Sequence, residues 1–126
     1  MRRVILAIAS WLASTHVHAH EMTPTYFDIK QSIYTGVVET SITVFNRRED
    51  ASFYRLEVYD QDWNRIPFYS DQKTIRVDYL ESNSATLYFK ASDTNRIMYI
   101  CTLSKLRRED VKSAGVSSRI CSKVKE

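Results

Sequence analysis

Two cysteines near the end of the chain are the residues best placed for covalent chemistry. Cys101 and Cys121 are the only cysteines, and each lies in a short run of residues typical of strands, 97–103 and 116–124. If these runs pair as an antiparallel hairpin that folds near Val111, the two cysteines lie opposite one another. A disulfide there closes a loop of about 20 residues and stabilises the domain by roughly 3 kcal/mol. Because no Cys-x-x-Cys occurs, the spacing favours a structural disulfide over a redox pair.

His20 is the one residue with a metal-binding alternative. An N-terminal histidine offers an amine and an imidazole, and Glu21 and Met22 would add a carboxylate and a thioether. Some exported β-sandwich copper proteins begin in this way, but their sites usually contain a further histidine. His16 and His18 lie in a segment predicted to be removed, and His20 is then alone on a mobile terminus. The sequence therefore predicts no metal and no other cofactor, with copper binding at His20 as the alternative.

The remaining polar residues do not form a pattern typical of catalysis. No histidine is expected beside a serine within the fold, which argues against a hydrolytic triad. The carboxylates are scattered over turns and outward strand positions, so no acid–base pair is predicted. Arg47-Arg48 and Arg107-Arg108 are each followed by Glu-Asp, which nearly cancels their charge and predicts solvated loops. We therefore expect neither an enzyme nor a nucleic-acid-binding protein.

The first 19 residues have the three parts of a signal peptide. Arg2 and Arg3 form a basic head, residues 4–13 are mainly apolar and too short to span a bilayer, and Val17-x-Ala19 is a small-x-small cleavage site. Cleavage after Ala19 would leave residues 20–126 as one domain, with 16 basic against 15 acidic residues. The sequence thus predicts a periplasmic or secreted protein that is not inserted in the membrane after cleavage.

Short alternating patterns occupy the rest of the chain. Tyr54, Leu56 and Val58, for example, form an inward set, with Arg55 and Glu57 facing outward. Strands are predicted at residues 25–34, 38–44, 54–58, 66–68, 75–79, 87–89, 97–103 and 116–124, and turns at 46–50, 60–64, 81–84 and 92–95. Seven or eight short strands without a long helical period predict an all-β, immunoglobulin-like sandwich.

Three segments resemble the first domain of the PapD-like periplasmic pilus-assembly chaperones. Thr40–Asn46 is an alternating run that closes on asparagine, as does the second strand of that family, and Tyr54–Asp60 follows it. Ile75–Leu103 resembles the central segment of the family, and Ser118-Arg119-Ile120 resembles its final strand. The resemblance covers about residues 22–125 and implies an immunoglobulin-like fold in a single-domain, divergent member.

The resemblance also implies a binding site for partner polypeptide. The final strand of the family carries alternating apolar residues that complete the missing strand of a pilin; Val116 occupies one such position here. An arginine and a lysine anchor the subunit's terminal carboxylate in the family, and Gln31 and Cys121 occupy those positions in this chain. The residues implied in partner binding are Gln31, Val116, Ser118, Arg119, Ile120 and Lys123.

Two functions follow from these observations. The first is an exported, chaperone-like binding module that recognises an exported subunit or an extended peptide by adding its strand to an edge, at 116–124 or 25–33. The second is a structural or accessory secreted domain without chaperone activity.

Overall fold

Two β-sheets packed face to face form the protein, as the alternating patterns predict. The computed structural model describes residues 19–106 and 117–126. One sheet has four strands and the other has five. Within these ranges, no helix is long and apolar enough to cross a membrane.

The four-stranded sheet is built around one long strand pair. Its strands are β1 (Glu21–Thr23), β3 (Lys30–Gln31), β4 (Val37–Phe45) and β7 (Ser82–Lys90). β7 pairs with β4 along its whole length, and the short strands β1 and β3 therefore share the opposite edge of β4.

The five-stranded sheet contains both cysteines. In spatial order its strands are β2 (Tyr26–Phe27), β9 (Arg119–Val124), β8 (Tyr99–Leu106), β5 (Ala51–Tyr59) and β6 (Thr74–Arg76). β2 is parallel to β9, whereas the other neighbours are antiparallel. A 3₁₀ helix, Ala91–Arg96, replaces the turn predicted at 92–95 and connects β7 to β8.

The predicted first strand, 25–34, is divided between the two sheets. Within this range β2 pairs with β9 and β3 pairs with β4, and β1, which precedes the predicted range, also pairs with β4. Pro24 stands at the first crossing, where a residue without an N–H cannot continue a ladder. Its carbonyl accepts a hydrogen bond from Ser122 Oγ at 2.5 Å, which ties the crossing to β9. The first segment thereby links the two sheets at their shared border.

The predicted inward residues form the core. Val38, Ile42 and Val44 of β4 are buried, as are Tyr54, Leu56 and Val58 of β5 and Leu87 and Phe89 of β7. The turn predicted at 81–84 is placed wrongly. It closes at residues 78–81, where Glu81 N–H donates to Asp78 O at 3.0 Å, and β7 already begins at Ser82. Tyr79 consequently lies exposed on the turn rather than in the sheet.

The disulfide between Cys101 and Cys121 is confirmed. The register of β8 and β9 places the two residues directly opposite one another, with their Cα atoms 4.0 Å apart. They occupy a non-hydrogen-bonded pair, because the neighbouring pairs carry the main-chain bonds, such as Ser104 N–H to Ser118 O at 2.9 Å. Opposing side chains are closest at such pairs, and the position therefore suits a bridge.

Loss of this disulfide is expected to lower the free energy of unfolding by roughly 3 kcal/mol, because the unfolded chain regains the freedom of a 20-residue loop. Urea denaturation with and without a reductant measures the difference. The double variant Cys101→Ser, Cys121→Ser is the control, since its unfolding curve should be insensitive to the reductant. Coincident curves for the oxidised and reduced native protein would contradict the expectation.

Candidate binding edge

Alternate residues of β9 direct their main-chain groups to β8. Ser104 N–H donates to Ser118 O at 2.9 Å, and Val124 N–H donates to Met98 O at 2.8 Å. The N–H and C=O groups of even-numbered residues of this strand therefore form the hydrogen bonds with β8. The odd-numbered residues direct their N–H and C=O groups to the opposite side.

Part of that opposite side has no strand partner among the residues that the structure describes. β2 covers only its second half, where Lys123 N–H donates to Thr25 O at 3.1 Å. The main-chain groups of Arg119 and Cys121 point the same way, and none of the described strands pairs with them there. We call residues 119–121 the open edge. Unpaired backbone at a sheet border is the feature that strand addition requires.

The structure separates the residues implied in partner binding. Ser118, Arg119, Ile120 and Lys123 lie on β9 or immediately before it, with Arg119 and Lys123 on the outer face of the sheet. Gln31 lies in the other sheet, in β3, where its Nε2 donates to Val37 O at 3.2 Å. Val116 lies outside the described residues. The open edge is therefore built from the last strand alone.

A buried polar network lies behind the start of β9. His20 is 1% exposed, with Nδ1 3.0 Å from Ser118 Oγ and Nε2 2.7 Å from Thr102 Oγ1. The prediction of a mobile terminal histidine is wrong, and so is the premise that no histidine lies beside a serine. The ring is enclosed because β1 pairs with β4 and thereby holds the residue before it, His20, inside the sandwich.

Arg48 completes the network, against the prediction that it lies in a solvated loop. Its side chain is 7% exposed and forms a bidentate salt bridge with Asp50, with Nε–Oδ1 and Nη2–Oδ2 distances of 2.8 and 2.6 Å. Its Nη1 donates to Ser104 Oγ at 3.0 Å. The hydrogen bond from Arg48 lowers the pKa of Asp50, so the pair is ionised at neutral pH. The other predicted basic pair, Arg107-Arg108, lies outside the described residues.

His20 is neutral in this environment. Its pKa is lowered to about 4, chiefly by burial and to a smaller extent by the nearby Arg48 cation, and a hydrogen bond to Thr102 partly opposes this lowering. Both ring nitrogens are engaged by hydroxyls. The other two proposed copper ligands are placed elsewhere: Glu21 pairs with Arg47 at 2.9 Å, and Met22 Sδ accepts from Thr102 Oγ1 at 3.7 Å. Among the described residues, no three His, Cys, Asp or Glu side chains are grouped to hold a metal.

A second charged cluster covers the outer face of the five-stranded sheet. Glu57 faces outward as predicted, but it is only 4% exposed because three arginines surround it. Its Oε1 is 2.6 Å from Arg55 Nη2 and 3.7 Å from Arg65 Nη2, and its Oε2 is 3.2 Å from Arg119 Nη2. Burial opposes ionisation of Glu57, but hydrogen bonds from Tyr59 and Arg55 and the arginine charges outweigh it and lower the pKa.

An aromatic pair borders this cluster. Trp63 stacks on Tyr99 with ring centroids 4.3 Å apart and an interplanar angle of 2°, and it is 52% exposed. Its φ of 62° places a bulky residue in the left-handed region, where a non-glycine residue carries backbone strain. Tyr99 pairs with Lys123 across the ladder, so the indole lies beside the outer end of β9.

Comparison with known proteins supports the fold. No family model matches the sequence, and no curated protein matches it. Among solved structures, the Escherichia coli chaperone DraB has a TM-score of 0.56 at 15% identity, over 84% of this chain and 53% of that one. A FixG-related protein from Vibrio parahaemolyticus has a TM-score of 0.50 at 15% identity, over 86% of this chain and 96% of that one. The chain thus spans about half the length of DraB, and at this identity the likeness shows a shared fold.

Proposed function

We propose that this protein is an exported, non-enzymatic binding module, chaperone-like, that recognises partner polypeptide by adding an extended strand to the open edge. The proposal depends on the backbone of Arg119 and Cys121, which pairs with no described strand on this side, so that a partner strand can form the next ladder of the five-stranded sheet there. The structural likeness to the chaperone DraB supports it. The disulfide supports a place in the periplasm or outside the cell, since such bonds persist in oxidising compartments.

A structural or accessory domain without a client is the second candidate. One observation favours it: Ser118, which directly precedes the open edge, is engaged in the buried network with His20 and Ser104. Part of the segment that resembles the chaperones' final strand is thereby explained by folding alone. The two candidates differ in whether the odd-numbered amides of β9 respond to an extended peptide.

Arg119→Pro is the sharpest test of strand addition. The N–H of Arg119 points to the open edge, so proline removes a donor that a partner needs and spares the bonds to β8. We expect strand peptides from co-exported proteins to shift the Cys121 amide signal in NMR titrations, and Arg119→Pro to weaken binding about tenfold, as for a lost hydrogen bond. Arg119→Ala, which retains the N–H, separates the main-chain effect from that of the side chain.

A folding control accompanies this test. Ile120 directs its N–H to β8, and Ile120→Pro should therefore destabilise the domain itself, whereas Arg119→Pro should unfold near the urea midpoint of Arg119→Ala, which lacks the same contact with Glu57. Unchanged amide signals at Arg119 and Cys121 with every peptide would refute strand addition at this edge and leave the accessory role.

A further inference from the structure

Positive charge is concentrated on the outer face of the five-stranded sheet. Cross-strand neighbours on β5, β8 and β9 form rows of outward side chains. In order along the sheet, the rows are Phe53 and Lys105; Arg55, Leu103 and Arg119; Glu57, Cys101 and Cys121; and Tyr59, Tyr99 and Lys123. Arg65 pairs with Tyr59 and lies beside the last of these rows. We call Arg55, Arg65, Lys105, Arg119 and Lys123 the basic face.

Among the described residues, acidic groups do not balance this face. Glu57 is the only carboxylate in these rows, and it contacts three arginines at once. Lys123 approaches Glu126 at 3.9 Å, but the Glu126 side chain is 88% exposed, where an ion pair contributes little. The whole sequence has a formal charge of only +3. The surplus is therefore a local feature of one face and not a general basicity of the chain.

The arginines of the basic face retain capacity for a further anion. Arg65 is 71% exposed and reaches Glu57 only at 3.7 Å, and Arg119 is 49% exposed with one nitrogen 3.2 Å from the same carboxylate. A guanidinium carries five N–H donors, so one contact with Glu57 leaves most of them available. Carboxylates bind arginine with charge-assisted hydrogen bonds, the strongest class in proteins.

We infer that the partner strand is acidic, with carboxylates at alternate positions on the outer side of the sheet, one of them beside Arg119 at the border of the basic face. This inference rests on the proposed strand addition. Side chains of an added strand alternate between the two faces of the sheet, and those on the outer face lie about 5 Å from the side chains of β9 opposite them. Arg119 contributes both the unpaired main chain and a guanidinium of this face. Only a polypeptide offers ladder hydrogen bonds and alternating carboxylates together, which favours it over an anionic glycan or lipid.

The test uses the protein and two matched synthetic peptides, one with alternate glutamates and one with glutamines at the same positions. We expect the glutamate peptide to bind about tenfold more tightly near 0.02 M salt, and the difference to shrink near 0.3 M salt because exposed charges are screened. Arg119→Gln retains the main-chain N–H and removes the guanidinium next to the added strand, so it should weaken binding of the glutamate peptide severalfold and leave the glutamine peptide unaffected. Trp63 fluorescence reports binding, because this indole borders the face.

Lys30→Gln is the matched control, since Lys30 is a 72% exposed cation on the other sheet and its loss should not change either affinity. Equal affinities for the two peptides, with Cys121 amide shifts for both, would overturn the acidic preference and leave strand addition intact. No amide shift with either peptide would overturn both proposals. If a sulfated polysaccharide or anionic vesicles displaced the glutamate peptide, and Arg119→Gln weakened their binding more than that of the peptide, the polypeptide assignment would be wrong.

Discussion

Replacing Asn46 with alanine is expected to lower the free energy of unfolding by about 3–5 kcal/mol. Asn46 is fully buried, and its Nδ2 donates to Ala51 O at 2.7 Å and to Val77 O at 2.8 Å. Its Oδ1 accepts from Arg48 N–H at 2.8 Å and from the Tyr54 hydroxyl. Alanine leaves four buried polar groups without this partner at once. The cost is a large part of the 5–15 kcal/mol typical of a small domain.

Urea denaturation of graded variants tests this expectation. Tyr54→Phe removes one contact to Asn46 and should cost about 1–2 kcal/mol. Asn83→Ala is the matched control, because that half-buried asparagine also bonds the main chain, from Nδ2 to Arg76 O at 3.1 Å, but lies at the sheet border. Its loss should cost under about 1 kcal/mol. Equal destabilisation by Asn46→Ala and Asn83→Ala would show that burial of the Asn46 network does not determine its contribution.

Acidification from pH 7 to pH 4 is expected to remove about 3 kcal/mol of stability through His20 alone. The pKa of His20 is lowered from 6.5 to about 4 in the folded protein, chiefly because the ring is buried. Above pH 6.5 the ring is neutral in both states and makes no difference. Between pH 6.5 and 4 only the unfolded chain takes up the proton, so stability falls with pH. Below pH 4 both states are protonated, and the loss is complete.

The variant His20→Gln isolates this effect, since it shares every other titrating group. Among them, the pKa values of Asp50 and Glu57 are also lowered, by hydrogen bonds and arginine charges, so both carboxylates reduce stability in acid in the wild type and the variant alike. The unfolding free energies of the wild type and of His20→Gln, measured at several pH values, should therefore approach one another as the pH falls to 4. Parallel curves for the wild type and His20→Gln would contradict the assignment of a lowered pKa to His20.

The alternation of apolar and polar residues with a period of two predicts which residues form the core and which face outward. Val38, Ile42 and Val44 are buried in β4 because successive residues of a strand point to opposite sides, and this rule needs no knowledge of the neighbours. The same argument predicted the bridge between Cys101 and Cys121, since two alternating runs joined by a short connection pair in a determined register.

Strand alternation does not predict which other side chains cover an outward-facing residue. Glu57 was correctly assigned to the outer face, yet its burial depends on arginines from the following loop and from β9, far away in sequence. The charge pattern predicts a solvated turn at Arg48 and Asp50, whereas their spacing of two residues also suits a local ion pair. That spacing was the available signal, but only packing against Ser104 shows that the pair is partly enclosed. The sequence likewise predicts only a turn at Asn46. Its buried role is not visible in the sequence, because the two carbonyl groups to which it donates, those of Ala51 and Val77, lie on different segments.

The sequence by itself determined an all-β sandwich, its inward residues and its disulfide, because these depend on local period and on pairing between neighbouring runs. Only the tertiary structure placed His20 against Ser118, since 98 residues separate them and the first segment crosses between sheets. It also located the open edge, because β2 covers β9 only at Lys123 and Val124. Edges, burial of charge and proximity between distant residues arise from how the sheets pack, and residue alternation along a single strand carries no information about them.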